Sequence, residues 1–207
     1  MSRRRVPQQL TFAKHAGWGG RRKGAGRKPK GERPGVSHQA RATLATRFPV
    51  HVTLRVLPHV WNLRSRRSFR VVARALLAGG DRFGMRLCEF SVQGNHLHFV
   101  VEAADARALS RGIQGLSIRL AKGLNTMMDK RGKVLADRFH ARILRTPTEV
   151  KRVLLYVRGN RDIHRSRWDQ KTSGEPDPYS SAVKTPDLAL PDAHTYLLIR
   201  ARAEAPS

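Results

Sequence analysis

Asn95-His96-Leu97-His98-Phe99 is the first place where residue types and spacing suggest chemistry. Side chains alternate along an extended segment, so His96 and His98 share one face while Leu97, Phe99 and Val101 take the other. Two imidazoles one pleat apart can hold one divalent cation. They can equally be surface histidines on a sheet that binds nucleic acid. The second place is a helical pattern that begins at Pro147. Arg152, Tyr156, Asn160 and His164 recur every four residues and form a ridge beside the apolar stripe of Val150, Val153, Leu154 and Val157. Tyrosine, with a pKa of about 10, is a poor nucleophile at neutral pH. It can attack a phosphodiester when a metal withdraws charge from the phosphoryl oxygens. The product is a covalent phosphotyrosine, which keeps the bond energy for later strand joining and needs no nucleotide cofactor. The sequence carries no Walker loop and no dinucleotide fingerprint. The plainer reading of the ridge is a tyrosine that packs its ring beside a solvated polar flank.

The elements that must position these groups are legible in the hydrophobic pattern. Val50, Val52, Leu54 and Val56 alternate with polar residues and predict a strand. Phe69, Val72, Leu76 and their neighbours recur at helical spacing, and Gly79-Gly80 ends that helix. Phe83–Val92 reads as a strand whose phase slips near Cys88, which predicts a bulge. Gln93-Gly94-Asn95 is a turn, and His96–Glu102 completes a hairpin. Leu109, Ile113, Leu116, Leu120, Leu124 and Met127 lie on one stripe of a long amphipathic helix, broken by Arg131-Gly132-Lys133. Val134–Leu144 is the last strand, with its alternation interrupted at Asp137 and Arg138. Thr146-Pro147-Thr148-Glu149 is a capping box that opens the helix of Tyr156, expected to run to about His164. Strand, helix, strand, strand, helix, strand is the order of a ferredoxin-like antiparallel sheet with helices packed on it, an α+β fold.

Composition bounds the partners. The 207 residues carry 41 basic and 15 acidic side chains, a net charge of +26, which suits a polyanion. Thirteen of the basic residues and one acidic residue fall in the first 50. Residues 1–47 are therefore read as a disordered basic arm, 48–165 as the folded domain and 166–207 as an irregular extension. Cys88 is the only cysteine, which excludes an internal disulfide and a multi-thiolate zinc site. The longest apolar run, around Phe99–Ala104, is too short to span a membrane. Arg3–Arg5 have no apolar core after them of the kind an export signal needs. A cytoplasmic protein is the expectation.

Asn95-His96-Leu97-His98 after a strand resembles the HUH motif, with Leu97 as its central hydrophobic residue. Arg138-Phe139-His140, followed by the capped helix with Tyr156-Val157-Arg158-Gly159-Asn160, resembles the single-tyrosine HUH transposases, and most of all the REP-associated branch related to the insertion-sequence-200 group. The resemblance covers about Phe48–Arg165. It implies that His96 and His98 ligate Mg²⁺ or Mn²⁺ and that Asn160 is the third ligand. It further implies that Tyr156 attacks single-stranded DNA, stays linked to the 5′ phosphate and releases a 3′ hydroxyl. The implied substrates are hairpin-forming single strands, and the implied assembly is a monomer or a homodimer. In the REP-associated branch the asparagine is commonly followed by proline, whereas Arg161 follows here. Asp177-Pro178-Tyr179-Ser180-Ser181 resembles a segment beyond the domain in relatives, while Ala182–Ser207 departs from them.

The basic arm carries its own signal. Arg21, Arg22, Lys23, Arg27, Lys28 and Lys30 sit among glycines in a run resembling an AT-hook, which is narrow enough for an A·T-rich minor groove. The alternative is a tail that binds phosphates without sequence preference. Arg138 and Arg152 are expected to contact DNA, and Arg64, Arg66 and Arg67 to contact phosphate. His140 is a further candidate for the cleft, and Glu102, on the histidine face, for the metal. Trp18, Trp61 and Trp168 are candidates for stacking on bases. The function that competes with strand transfer is a catalytically inactive single-stranded nucleic-acid-binding protein on the same fold.

Overall fold

Val50, Val52 and Leu54 point to one side of the first strand and are buried there. That strand nucleates the architecture found in a computed structural model of the protein, which describes residues 43–167, 175–183 and 188–204, with side chains outside 161–167. The strands are β1 (Val50–Arg55), β2 (Asp81–Arg82), β3 (Met85–Val92), β4 (His96–Ala103) and β5 (His140–Ile143). They pair antiparallel in the order β2-β3-β4-β1-β5, which is the ferredoxin-like arrangement with one short strand added at the edge. The helices are α1 (Arg66–Gly79), α2 (Ala106–Met128), α3 (Pro147–Arg167) and α4 (Tyr196–Ala203). The α+β class read from the sequence holds.

The sheet separates two cores. Leu97, Phe99 and Val101 of β4 join Val72 and Leu76 of α1 and Ile113, Leu116 and Leu120 of α2. On the other face, Val100 joins Val150, Leu154 and Val157 of α3 and Leu198 of α4. A bulge between Leu87 and Glu89 lets both Cys88 and Glu89 meet this second helix pair. The Cys88 thiol is buried and pushed up to about 12, chiefly by that burial, so it is not a nucleophile.

Local chemistry sets the helix ends. Ser65 accepts from Ser68 N–H at 3.1 Å, and Asp105 accepts from Ala108 N–H at 2.6 Å. The expected capping box is formed: Glu149 N–H donates to Thr146 Oγ1 at 3.2 Å, and Thr146 N–H donates to Glu149 at 3.3 Å. Asp129, in the left-handed region at φ 52°, ends α2 ahead of Arg131-Gly132-Lys133.

Four readings change. Phe83 is in the turn between β2 and β3, not in a strand; with Gly84 it takes positive φ, 60° and 74°. A left-handed phenylalanine costs on the order of 1 kcal/mol. Val134–Phe139 does not pair as strand beyond one bridge, Val56 with Leu135, because the Asp137-Arg138 break leaves only His140–Ile143 in register with β1. The folded part includes residues before Phe48, since Leu44 is buried and Thr46 Oγ1 donates to Ala104 O. The irregular C-terminal stretch also contributes structure. Arg64 makes a bidentate pair with buried Asp177 at 2.8 Å, Ser180 bridges to Ser91, and α4 packs on α3. Its start is anchored on Glu102, which receives the N–H groups of His194 and Thr195 and the Thr195 hydroxyl. Burial alone would raise the Glu102 carboxyl, but these donors and Arg86 outweigh it and hold it below the usual range.

Two predictions follow from this packing. A Cβ at Gly112 would lie 2.5 Å from Met85 Cβ, whereas one at Gly159 meets nothing within 4 Å. Gly112→Ala should lower stability by about 1–3 kcal/mol through overpacking, and Gly159→Ala should raise it by up to about 1 kcal/mol through helix propensity; urea unfolding followed by circular dichroism reads both signs. A lowered carboxyl stabilises the fold above its unfolded value and loses that contribution as pH falls through the folded one. Glu102→Gln should therefore cost about 2 kcal/mol at pH 7, and the gap from wild type should close as pH falls below about 4.5.

Candidate active site

Alternation puts His96 and His98 on the face of β4 that α3 covers, as the sequence requires. The two rings are edge to face with centroids 4.8 Å apart. Register does what the sequence of β4 alone cannot show: it brings β1 alongside, with Thr53 opposite His98. His51 Nε2 and Thr53 Oγ1 each lie 3.2 Å from His98 Nδ1. Burial pushes His51 down to about 4, with the His140 and Arg142 charges adding to it, so its ring is neutral at pH 7. The tautomer decides which of the facing His51 and His98 nitrogens donates. With hydrogen on His98 Nδ1, the Nε2 lone pair of His98 would be directed away from the sheet partner.

Tyr156 meets that nitrogen. Its hydroxyl lies 3.4 Å from His98 Nε2, and its ring stands edge to face with His98 at a centroid distance of 5.2 Å. The helical ridge read from the sequence is graded in depth. Arg152 is exposed, Tyr156 is half-buried and Asn160, one turn on, is fully buried. Both polar atoms of the Asn160 amide lack a hydrogen-bond partner among the described residues. A buried amide in that condition costs about 1–3 kcal/mol. A cation would suit the Oδ1 atom alone, since the amide nitrogen is a donor and needs an acceptor. The donor set would be two imidazoles and one carboxamide oxygen, since among the described residues no group of three His, Cys, Asp or Glu is placed to hold a metal.

Other expected residues are placed elsewhere. Glu102 shares the histidine face but is taken up by the α4 N-terminus and Arg86, which removes it from any metal role. Arg64 is not available to phosphate, because Asp177 and the Val92 carbonyl occupy it. His140 is opposite Thr53 at the exposed end of β5, on the site's face. Arg138 is exposed just before β5. Arg21, Arg22, Lys23, Arg27, Lys28 and Lys30, with Trp18, Trp168 and the His164 side chain, lie outside the described residues. The residues that sequence reasoning missed are His51 and Thr53. Their outward alternation was visible, but their partner became visible only with strand register.

No known protein family matches the chain, and no curated protein sequence does. Its fold is similar to that of a solved REP-associated tyrosine transposase bound to a REP hairpin, with a TM-score of 0.53 and 12% identity over 70% of this chain and 82% of that one. A putative transposase from Deinococcus radiodurans R1 is also similar, with a TM-score of 0.41 and 10% identity over 66% of this chain and 98% of that one. At these identities the likeness is one of fold. Among the described residues no helix is long and apolar enough to cross a membrane.

Asn160→Leu fills the same buried position without an unpartnered amide. It should raise the stability of the metal-free protein by about 1–3 kcal/mol, read as a higher urea midpoint at unchanged slope.

Proposed function

We propose that the protein is a metal-dependent DNA strand-transferase of the HUH single-tyrosine transposase type. It nicks and rejoins single-stranded hairpin DNA through a 5′-phosphotyrosine. One observation carries this reading: a half-buried phenol stands 3.4 Å from one of two imidazoles that share a strand face. The order of the HUH and tyrosine motifs and the likeness of fold support it.

His96, His98 and Asn160 would hold a Mg²⁺ or Mn²⁺ ion, which would draw charge from the phosphoryl oxygens of a bound strand. His51 and Thr53 fix the His98 ring from behind and set which of its nitrogens faces the cleft. Tyr156 sits on a capped helix, which would position its oxygen before the strand arrives. In the reaction the phenol oxygen forms a bond to phosphorus and the bond to the 3′ oxygen breaks. The phenol loses one proton and the departing 3′ oxygen gains one. A later 3′ hydroxyl reverses the step on a new strand, so the joined bond needs no external energy source. The DNA ligand and the use of Tyr156 within one subunit or across a homodimer belong to the same proposal. Arg152, exposed one turn before Tyr156, and Arg138, exposed before β5, would contact phosphates of the bound strand.

The test is incubation with a single-stranded hairpin oligonucleotide and Mn²⁺, followed by denaturing electrophoresis. The wild type should form an adduct that survives denaturation, and Tyr156→Phe should form none. His96→Ala should lose the adduct while DNA binding changes little. Asn160→Leu should lose Mn²⁺ binding by calorimetry. DNA binding without any adduct would favour an inactive single-strand-binding protein on this fold.

A further inference from the structure

The face of the sheet remote from Tyr156 carries a second concentration of charge. Helices α1 and α2 contain no aspartate or glutamate. Arg67, Arg70 and Arg74 of α1 and Arg119 and Lys122 of α2 line a groove between them of about 680 Å³. None of the five is ion-paired to a carboxylate among the described residues, whereas Arg86, Arg142, Arg158 and Arg202, which pair from the sheet, α3 and α4, each have an acidic partner. Like charges gathered without counter-charges repel one another and call for a polyanion. The groove floor is apolar, formed by Val71, Ala75, Ala78 and Met127.

An exposed aromatic ring marks each end. Trp61, 43% exposed, lies under the Arg67 guanidinium at 5.6 Å. Phe83, 47% exposed, lies under Arg111 at 5.2 Å and is held in the left-handed turn already described. Its ring and the Arg119 guanidinium both lie over Gly115, 3.0 and 3.6 Å from where a Cβ would stand, so the ring neighbours the cationic rim at Arg119. Backbone strain at an exposed aromatic flanked by arginines is a feature of binding surfaces rather than of packing.

We propose that this groove is a second binding track, for single-stranded DNA, with phosphates on the cationic rims and unpaired bases stacked on Phe83 and Trp61. Cations that follow a backbone and exposed rings that stack on bases are the two components of single-strand recognition. A duplex would offer the rings no base face. From Arg107 to Lys122, α2 spans roughly 20 Å, the scale of the shortest single-strand sites of about 4 nucleotides. The track does not depend on the strand-transfer reading, because its residues are on the opposite helix layer.

The test uses the full chain with Tyr156→Phe to prevent adducts. Photo-crosslinking to a 5-iodouracil-substituted DNA 12-mer, mapped by mass spectrometry, should label Phe83 or Trp61. Arg70→Glu with Arg74→Glu and Arg119→Glu should weaken binding of that 12-mer at least about tenfold and flatten the salt slope by about 2. Phe83→Asn, which suits the left-handed turn, should abolish the crosslink at that end while thermal unfolding stays intact. On an otherwise wild-type chain, the three charge reversals should leave adduct formation unchanged at saturating hairpin. Labelling confined to other residues with unchanged affinity in the triple variant would overturn the track. Tighter binding of RNA of the same sequence would overturn its assignment to DNA.

Discussion

Strand β4 is covered on both faces, and most of the molecule follows from that constraint. A strand buried on one side alternates apolar and polar residues freely, because water takes the polar row. Here the polar row is covered too, so each of its members needs a partner inside the protein. His98 has His51, Thr53 and Tyr156 around its two nitrogens. Glu102 has the backbone that starts α4. Between them Val100 joins the second apolar core. One strand thus combines a histidine end, an apolar middle and an anchoring end, spaced by the pleat alone.

The same need organises the C-terminal stretch. Glu89 is buried beside the bulge and takes up Arg158 of α3, Arg202 of α4 and the Ser181 hydroxyl. Asp177 is buried and takes up Arg64. Buried carboxylates are tolerated only when paired and hydrogen-bonded, and these pairs tie segments far apart in sequence to the sheet. They also divide the arginines by role. Arg86, Arg158 and Arg202 neutralise buried acids, whereas the arginines that line the α1–α2 groove have no carboxylate partner among the described residues. Net charge alone did not distinguish the two groups.

What was legible in the sequence was local. The capping box of Thr146 and Glu149 needs only four residues, and the stripe from Leu109 to Leu124 needs only its own period, which slips by one at the end, where Met128 rather than Met127 is buried. The shared face of His96 and His98 follows from a two-residue spacing. Readings that depend on distant partners were out of reach. His51 and His98 are 47 residues apart and meet only because β1 pairs with β4 in one register. Glu102 looked available because its donors, His194 and Thr195, lie 92 and 93 residues on. Phe83 read as strand because it is apolar, although the turn needs positive φ at that position. Helix α4 is short and only weakly patterned, so its burial against α3 is a tertiary event.

Asn160 is where local rules and the fold disagree most. Leucine there would extend the apolar stripe of Val150, Leu154 and Val157 without a break and leave no orphaned amide. Sequences that specify a fold are consistent across levels, and departures from consistency concentrate where a site needs them. Tyr156, one turn earlier, is likewise polar at the border of a core, but its hydroxyl finds His98. A tyrosine and asparagine that were only packing residues would not need the imidazoles and the open amide on the same side of the sheet. Under the proposed function their coincidence with the imidazoles would tie the polar ridge to chemistry rather than to solvation, and the capping box of α3 fixes where that ridge begins while the rest of the layer packs as an ordinary core.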